Sequence, residues 1–181
     1  MNKGILETPR LWLREMGDGD FPALCRMLQD PVVMYAYEHA FSDEEAWAWL
    51  HNQQQRYRRD GFGLWAAVEK ASGELVGQCG ITWQSLGDGR QMPEIGYLLE
   101  RAVWHRGYAT EAARACRDYA FDILGFEEVC SIIRDNNLPS QAVARRNGMI
   151  QRGRLVKHYY GMDMPHLIFT VRRTEREKEK C

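Results

Sequence analysis

Two hydrophobic periods share this chain, and their order along it predicts most of the fold. Arg10-Leu11-Trp12-Leu13-Arg14 reads as an alternating, half-buried strand. From 18 to 29 the apolar positions Phe21, Leu24, Cys25 and Leu28 fall at helical spacing. Ser42 and, three residues on, Glu45 form a capping box that opens a second helix. Its inward stripe is Ala46, Trp49, Leu50, Gln53 and Tyr57, and Gly61 ends it. The character then changes to strands over 62–69, 75–83 and 94–99. Their turns lie at Ser72-Gly73 and at Leu86-Gly87-Asp88-Gly89, an antiparallel meander.

A long helix follows, with Ala109, Ala112, Ala113, Cys116, Ala120 and Ile123 on one face and Glu111, Arg114, Arg117 and Asp118 elsewhere. Gly125 closes it. A strand over 129–133 comes next, which a helical crossover places parallel to its predecessor. Asn137 is the expected N-cap of a short helix with Pro139 in its first turn and Gly148 just beyond its end. Segments 155–160 and 167–171 pair as a terminal hairpin, and residues 173–181 form a charged tail expected to be solvated or frayed. No repeat, linker or second domain is visible, so residues 1–172 are expected to be one domain.

Composition narrows the class. In 181 residues, 45% hydrophobic content with 6 Trp suits a globular core. A net charge of -1 gives no electrostatic case for nucleic acid. No apolar run has membrane-spanning length, and the first residues do not resemble a signal peptide. The 5 Cys residues (Cys25, Cys79, Cys116, Cys130 and Cys181) are odd in number and scattered, with neither metal nor disulfide spacing. A cytoplasmic protein with idle thiols is expected.

Candidate chemistry centres on "WHRGYATEA", Trp104 to Ala112. The first amides of a helix have no partners within it, and the helix dipole adds positive potential there. His105, Arg106, Gly107, Tyr108, Ala109 and Thr110 would present consecutive N–H groups. Gly107 and Ala109 leave room for a bulky anion, Arg106 adds charge and Thr110 a hydroxyl. A phosphate or pyrophosphate suits such a site; so, on the residues alone, does an ordinary helix start with an exposed arginine.

Three stretches resemble the GNAT family of N-acetyltransferases: "TPRLWLRE", "EIGYLLERAVWHRGYATEA" and "NLPSQAVARRNGM", together covering most of the chain's organisation. The wording looks most like the branch of the ribosomal-protein acetyltransferases RimJ and RimL. The family's pyrophosphate motif, Gln/Arg-x-x-Gly-x-Gly/Ala, is filled by Trp104 to Ala109, with Trp104 departing at its first position. The resemblance implies an α/β (α+β) fold with a mixed, mostly antiparallel central sheet, flanking helices and acetyl-CoA as cofactor. It also implies a bulged strand, here 94–99, splayed from the next strand to admit the pantetheine arm. Backbone groups of Tyr97, Leu98 and Leu99 would bond that arm, and an N–H near Leu98 would meet the developing oxyanion.

An attacking amine is mostly protonated at neutral pH, so a base is needed. Glu94, at the start of the slot-forming strand, is the candidate, with His105 and His158 behind it. Many family members place a tyrosine on the short helix to protonate the leaving thiolate. None lies between Asn137 and Gly148, and similarity to RimL-like enzymes puts Ser140 there; Asn137 would cap the helix and touch the cofactor. The resemblance points to Tyr35, Tyr37, Glu38, His39, Tyr159, Tyr160 and Asp163 around the acceptor entrance, with Glu38 attracting an ammonium group. The acceptor would be a protein N-terminus or a small-molecule amine, with no nucleic acid and no membrane; a homodimer is left open. Two rivals are a non-catalytic acyl-CoA-binding module and a nucleotide-binding domain. The second lacks the Lys-Ser/Thr ending of a P-loop.

Overall fold

The computed structural model describes residues 4–179, and it arranges eight strands in one sheet of order β1-β2-β3-β4-β5-β6-β8-β7. The strands are β1 (Leu6–Glu7), β2 (Leu11–Arg14), β3 (Leu64–Glu69), β4 (Leu75–Ser85), β5 (Gln91–Leu99), β6 (Glu128–Arg134), β7 (Ile150–Tyr159) and β8 (Met162–Arg172). The helices are α1 (Phe21–Leu28), α2 (Asp43–Asp60), α3 (Tyr108–Asp122), α4 (Leu138–Arg146) and α5 (Arg173–Glu179). Every strand pairing is antiparallel except β5 with β6. The mixed, mostly antiparallel sheet expected from the sequence is thus present.

Alternation along the strands divides the core into two layers. Leu64, Ala66 and Val68 of β3 face α1 and α2, packing with Leu24, Leu28, Ala46 and Leu50. Trp65, Cys79, Ile81 and Ile95 face the other way, against Ala112, Ala113, Cys116 and Ala120 of α3 and Val143 and Ala144 of α4. The alanines let α3 lie close to the sheet. Capping fixes where the helices begin: Ser42 accepts the Glu45 amide while the Glu45 carboxylate takes the Ser42 amide, and Asn137 accepts the Ser140 amide. Gly61, at φ 78°, closes α2 in the left-handed conformation that costs an L-residue about 1–2 kcal/mol.

Several expectations need correcting. Ile123 is 68% exposed and off the helix face assigned to it, whereas Arg117 is only 4% exposed. Its guanidinium donates to the Asn147 carbonyl at 2.9 Å, a use of a charged residue that periodicity does not reveal. The terminal strands run further than 155–160 and 167–171 and turn tightly at Tyr160-Gly161. The segment expected to be a solvated tail opens with α5, and its Arg176 is 5% exposed, paired with Asp122 at 2.7 Å. The cysteines are not all apart: Cys79 on β4 and Cys116 on α3 bring their sulfurs within 3.6 Å as free thiols. Cys181 lies outside the described residues.

β5 and β6 set up the site. Their parallel ladder has one register pair, Glu94↔Cys130. Two side chains extend the join: the Ser131 hydroxyl donates to the Ile95 carbonyl at 2.8 Å, and the Ile132 amide donates to Glu94 Oε1 at 3.0 Å. Beyond Ile95 the strands part. The bulge expected on this strand is not in its ladder with β4, which runs in unbroken register from Ser85↔Gln91 to Gly77↔Leu99.

Candidate active site

Residue parity decides which backbone groups of β5 face the gap. The Glu100 amide donates to the Val76 carbonyl, so within this antiparallel ladder the even-numbered residues of β5 spend their amides and carbonyls on β4. Leu98 is therefore turned toward Gln78, and Tyr97 and Leu99 present their amides to the gap. The Leu99 carbonyl is taken by the indole N–H of Trp104 at 3.0 Å, which gives this departure from the motif a place in the fold. The Tyr97 hydroxyl crosses the gap to the Ser140 carbonyl at 2.7 Å and ties β5 to α4.

At the head of α3, Gly107 is the N-cap at φ 80° and His105 also has positive φ, 61°. Among the described residues, none accepts a hydrogen bond from the amides of His105 through Thr110. Of these residues His105, Gly107 and Thr110 line a cleft of about 1010 Å³, together with Arg114, Arg146 and residues 6–9. Arg106 does not lend its charge freely. Its guanidinium pairs with Glu69 at 3.0 Å and lies 4.8 Å over the Tyr108 ring, while Tyr108 is buried and bonds Glu69 through its hydroxyl. Ala109 packs against the core. Among the described residues, Arg114 and Arg146 are the cations at this cleft without a carboxylate partner, and sequence reasoning left them unassigned.

A second cavity, of about 440 Å³, lies on the α1–α2 face of the sheet and reaches the gap. Glu94, Tyr97, Leu98, Asn137 and Ser140 all border it. Burial pushes the Glu94 carboxyl above its ordinary value, against the opposing pull of Lys157, the Ile132 amide and Arg56. Asn137 Oδ1 accepts from the Ser140 amide at 3.2 Å and from the Tyr35 hydroxyl at 2.8 Å, so its carbonyl oxygen is engaged.

Of the acceptor candidates, Tyr37, Tyr159 and Tyr160 line the cavity. Glu38 does not stand free to attract an ammonium group, because it pairs with Arg134. His39 bonds Glu45 at 2.9 Å and meets the Tyr160 ring edge-on at 4.7 Å. Asp163 and His158 pair with each other at 2.5 Å on the β7–β8 hairpin and do not line the cavity. His105 borders the other cleft. Neither histidine considered as a base therefore shares the cavity with the gap.

Sequence reasoning missed Arg56, Gln78, Lys157 and His166, which also line this cavity. Gln78 and His166 are buried polar residues. The Trp49 indole donates to Gln78 Oε1 at 3.0 Å, and Gln78 Nε2 has no partner among the described residues. His166 Nδ1 meets the Met164 carbonyl at 2.8 Å, and burial lowers its pKa. Polar residues at inward strand positions, Gln78 and Thr82 on β4 above all, were the available signal.

With this geometry in hand, comparison with known proteins is informative. A family model described as an acetyltransferase (GNAT) domain matches residues 10–150. The Bacillus subtilis (strain 168) protein YkkB is 39% identical over 148 residues, covering 81% of this chain and 86% of YkkB. A solved GNAT-family acetyltransferase of Bacillus anthracis superposes with a TM-score of 0.80 at 20% identity, covering 94% of this chain and 98% of its own. RimL, a ribosomal L7/L12 alpha-N-protein acetyltransferase solved with coenzyme A, superposes with a TM-score of 0.74 at 17% identity, covering 94% and 98%. The two solved structures show likeness of fold.

Proposed function

The chain belongs to the GNAT acetyltransferase family, and on that premise we propose that it moves the acetyl group of acetyl-CoA to a primary amine by direct attack, with Glu94 as the base. One observation carries the reading: the sheet parts just beyond Glu94, and the cavity at that gap is also lined by Ser140 and by Tyr97, whose amide is turned away from β4. The unpartnered amides of 105–110 suit the coenzyme's diphosphate, with charge from Arg114 and Arg146. The acceptor class, in this reading, is a small-molecule amine or a protein N-terminus of the kind RimL takes.

When bound, acetyl-CoA supplies a thioester carbonyl as the electrophile. An α-amino group with pKa about 8 is about nine-tenths protonated at pH 7, so Glu94 first takes one proton from the ammonium group and passes it to solvent. The freed lone pair then attacks, and Glu94 takes the second proton as the N–C bond forms. The Tyr97 amide, turned away from β4, would meet the negative charge that develops on oxygen. As the C–S bond breaks, the Ser140 hydroxyl donates a proton to sulfur and regains one from solvent. Transfer is direct because Cys25, Cys79, Cys116 and Cys130 line neither cavity, and burial raises the thiol pKa of Cys116 and Cys130. The test is thiol release from acetyl-CoA over a panel of amines. Amine-dependent release with an acetylated product confirmed by mass is expected, and coenzyme binding without turnover of any amine overturns the reading.

A further inference from the structure

The second cavity carries a charge pattern that moving one acetyl group does not require. Arg134 is neutralised by Glu38, and burial favours a neutral His166. That leaves Glu94 facing two cations, Arg56 and Lys157, neither with a carboxylate within 4.0 Å among the described residues. Both lie near enough to Glu94 to pull its carboxyl pKa down. Arg56 is half-buried, and one of its five N–H donors is spent on Gln53 Oε1 at 3.1 Å. A guanidinium withdrawn from water without an anion is unfavourable until something completes it. Gln78 adds a buried amide nitrogen without an acceptor at the same cavity.

We infer that the acceptor carries a carboxylate beside its amine, as a free amino acid does, with the amine at Glu94 and the carboxylate held by Arg56 and Lys157. This rests on the acetyltransferase reading and narrows its acceptor class. A volume of about 440 Å³ is in the range of small-ligand pockets. Polyamines are disfavoured, since a second ammonium group would meet Arg56 and Lys157 with no free carboxylate besides Glu94. The two cations could instead serve only to keep Glu94 ionised. Their loss would then affect all amines alike, whereas a carboxylate clamp is felt only by acceptors that have one.

The experiment pairs amino acids with their primary amides, adds spermidine, and expresses kcat/KM per free amine for the parent, Lys157→Met and Arg56→Gln. Circular dichroism and melting confirm that each variant folds. The parent is expected to favour the acid over its amide by about tenfold or more. Each variant should bring that ratio toward one, chiefly by raising KM for the acid. A parent ratio near or below one, preference for spermidine, or equal losses on acid and amide in both variants overturns the inference. Thermal shift of the coenzyme-loaded protein with N-acetyl amino acids and their amides reads the clamp without chemistry. Acid-selective stabilisation without turnover of any amine would uphold the clamp and sink the transferase reading beneath it; no selectivity sinks the clamp.

Discussion

Glu94→Gln separates chemistry from architecture. The carboxamide retains an oxygen to accept the Ile132 amide, now 3.0 Å from Glu94 Oε1, so the join between β5 and β6 survives while the base is lost. General-base catalysis contributes about 10²–10⁴ in rate, roughly 3–5 kcal/mol of barrier. The deficit should be fullest where Glu94 is ionised and narrow as pH falls through its raised pKa, because a protonated Glu94 is no base and the parent then resembles the variant. Stability should move the other way. Burial is the leading cause of the raised Glu94 pKa and outweighs Lys157 and Arg56. Between the ordinary and the raised value the folded state binds more protons than the unfolded one. Stability of the parent is therefore lost as pH rises through that window and stays lower above it. Glutamine does not titrate, so the variant should lack this slope and be at least as stable as the parent at neutral pH. Initial rates from pH 6 to 9, with urea melts over pH 4 to 8, test both halves. Values of kcat/KM within about threefold of the parent at every pH would refute Glu94 as the base.

Three more substitutions test the surroundings. Gly107→Val puts an L-residue at φ 80°, with its Cβ 3.4 Å from Arg10 Nη2 and in the path of an approaching anion. Calorimetry should show acetyl-CoA binding weakened about tenfold or more, beyond the effect of Gly107→Ala, which shares the roughly 1–2 kcal/mol of backbone strain; equal affinity in parent and valine variant removes the diphosphate assignment. Ser140→Ala keeps the carbonyl that Tyr97 bonds and the amide that Asn137 caps, so the fold should hold while kcat drops about tenfold or more with KM for acetyl-CoA unchanged. An unaltered kcat would leave that hydroxyl with a packing role. Ser42→Ala removes half of the capping box on α2, the helix that brings Trp49 and Arg56 to the cavity, and should lower unfolding free energy by about 1 kcal/mol in urea melts. A negligible change would mean that α2 is held by its packing alone.

Periodicity and punctuation made most of the fold legible because the local signals agree with the tertiary answer. Ser42 with Glu45, Gly61, Asn137 and the Gly107 turn all mark boundaries that the structure shows. Legibility failed where a residue's role depends on a distant partner. Nothing local in Arg106 points to Glu69, nor in Glu38 to Arg134, yet these pairs decide which charges remain for ligands. Arg117 fits a polar helix face until the Asn147 carbonyl is seen beside it. Lys157 sits on a strand that the sequence predicts and His166 just ahead of one, but only the closing of β8 between β6 and β7 brings them near Glu94. Motif reading located the unpartnered amides at the head of α3 because backbone geometry writes itself into glycine and alanine spacing. The second cavity is assembled from side chains on separate elements, and no short spacing encodes it.

The interruption between β5 and β6 also bears on how this protein can diverge. Glu94 stitches the two halves of the sheet through the Ile132 amide, so a mutation there alters mechanical continuity together with acidity and is filtered twice over. Lys157 sits on β7, the outermost strand, and its loss disturbs no neighbouring ladder on that side. New diets of substrate can therefore be tried at the rim of the molecule while its centre stays unchanged.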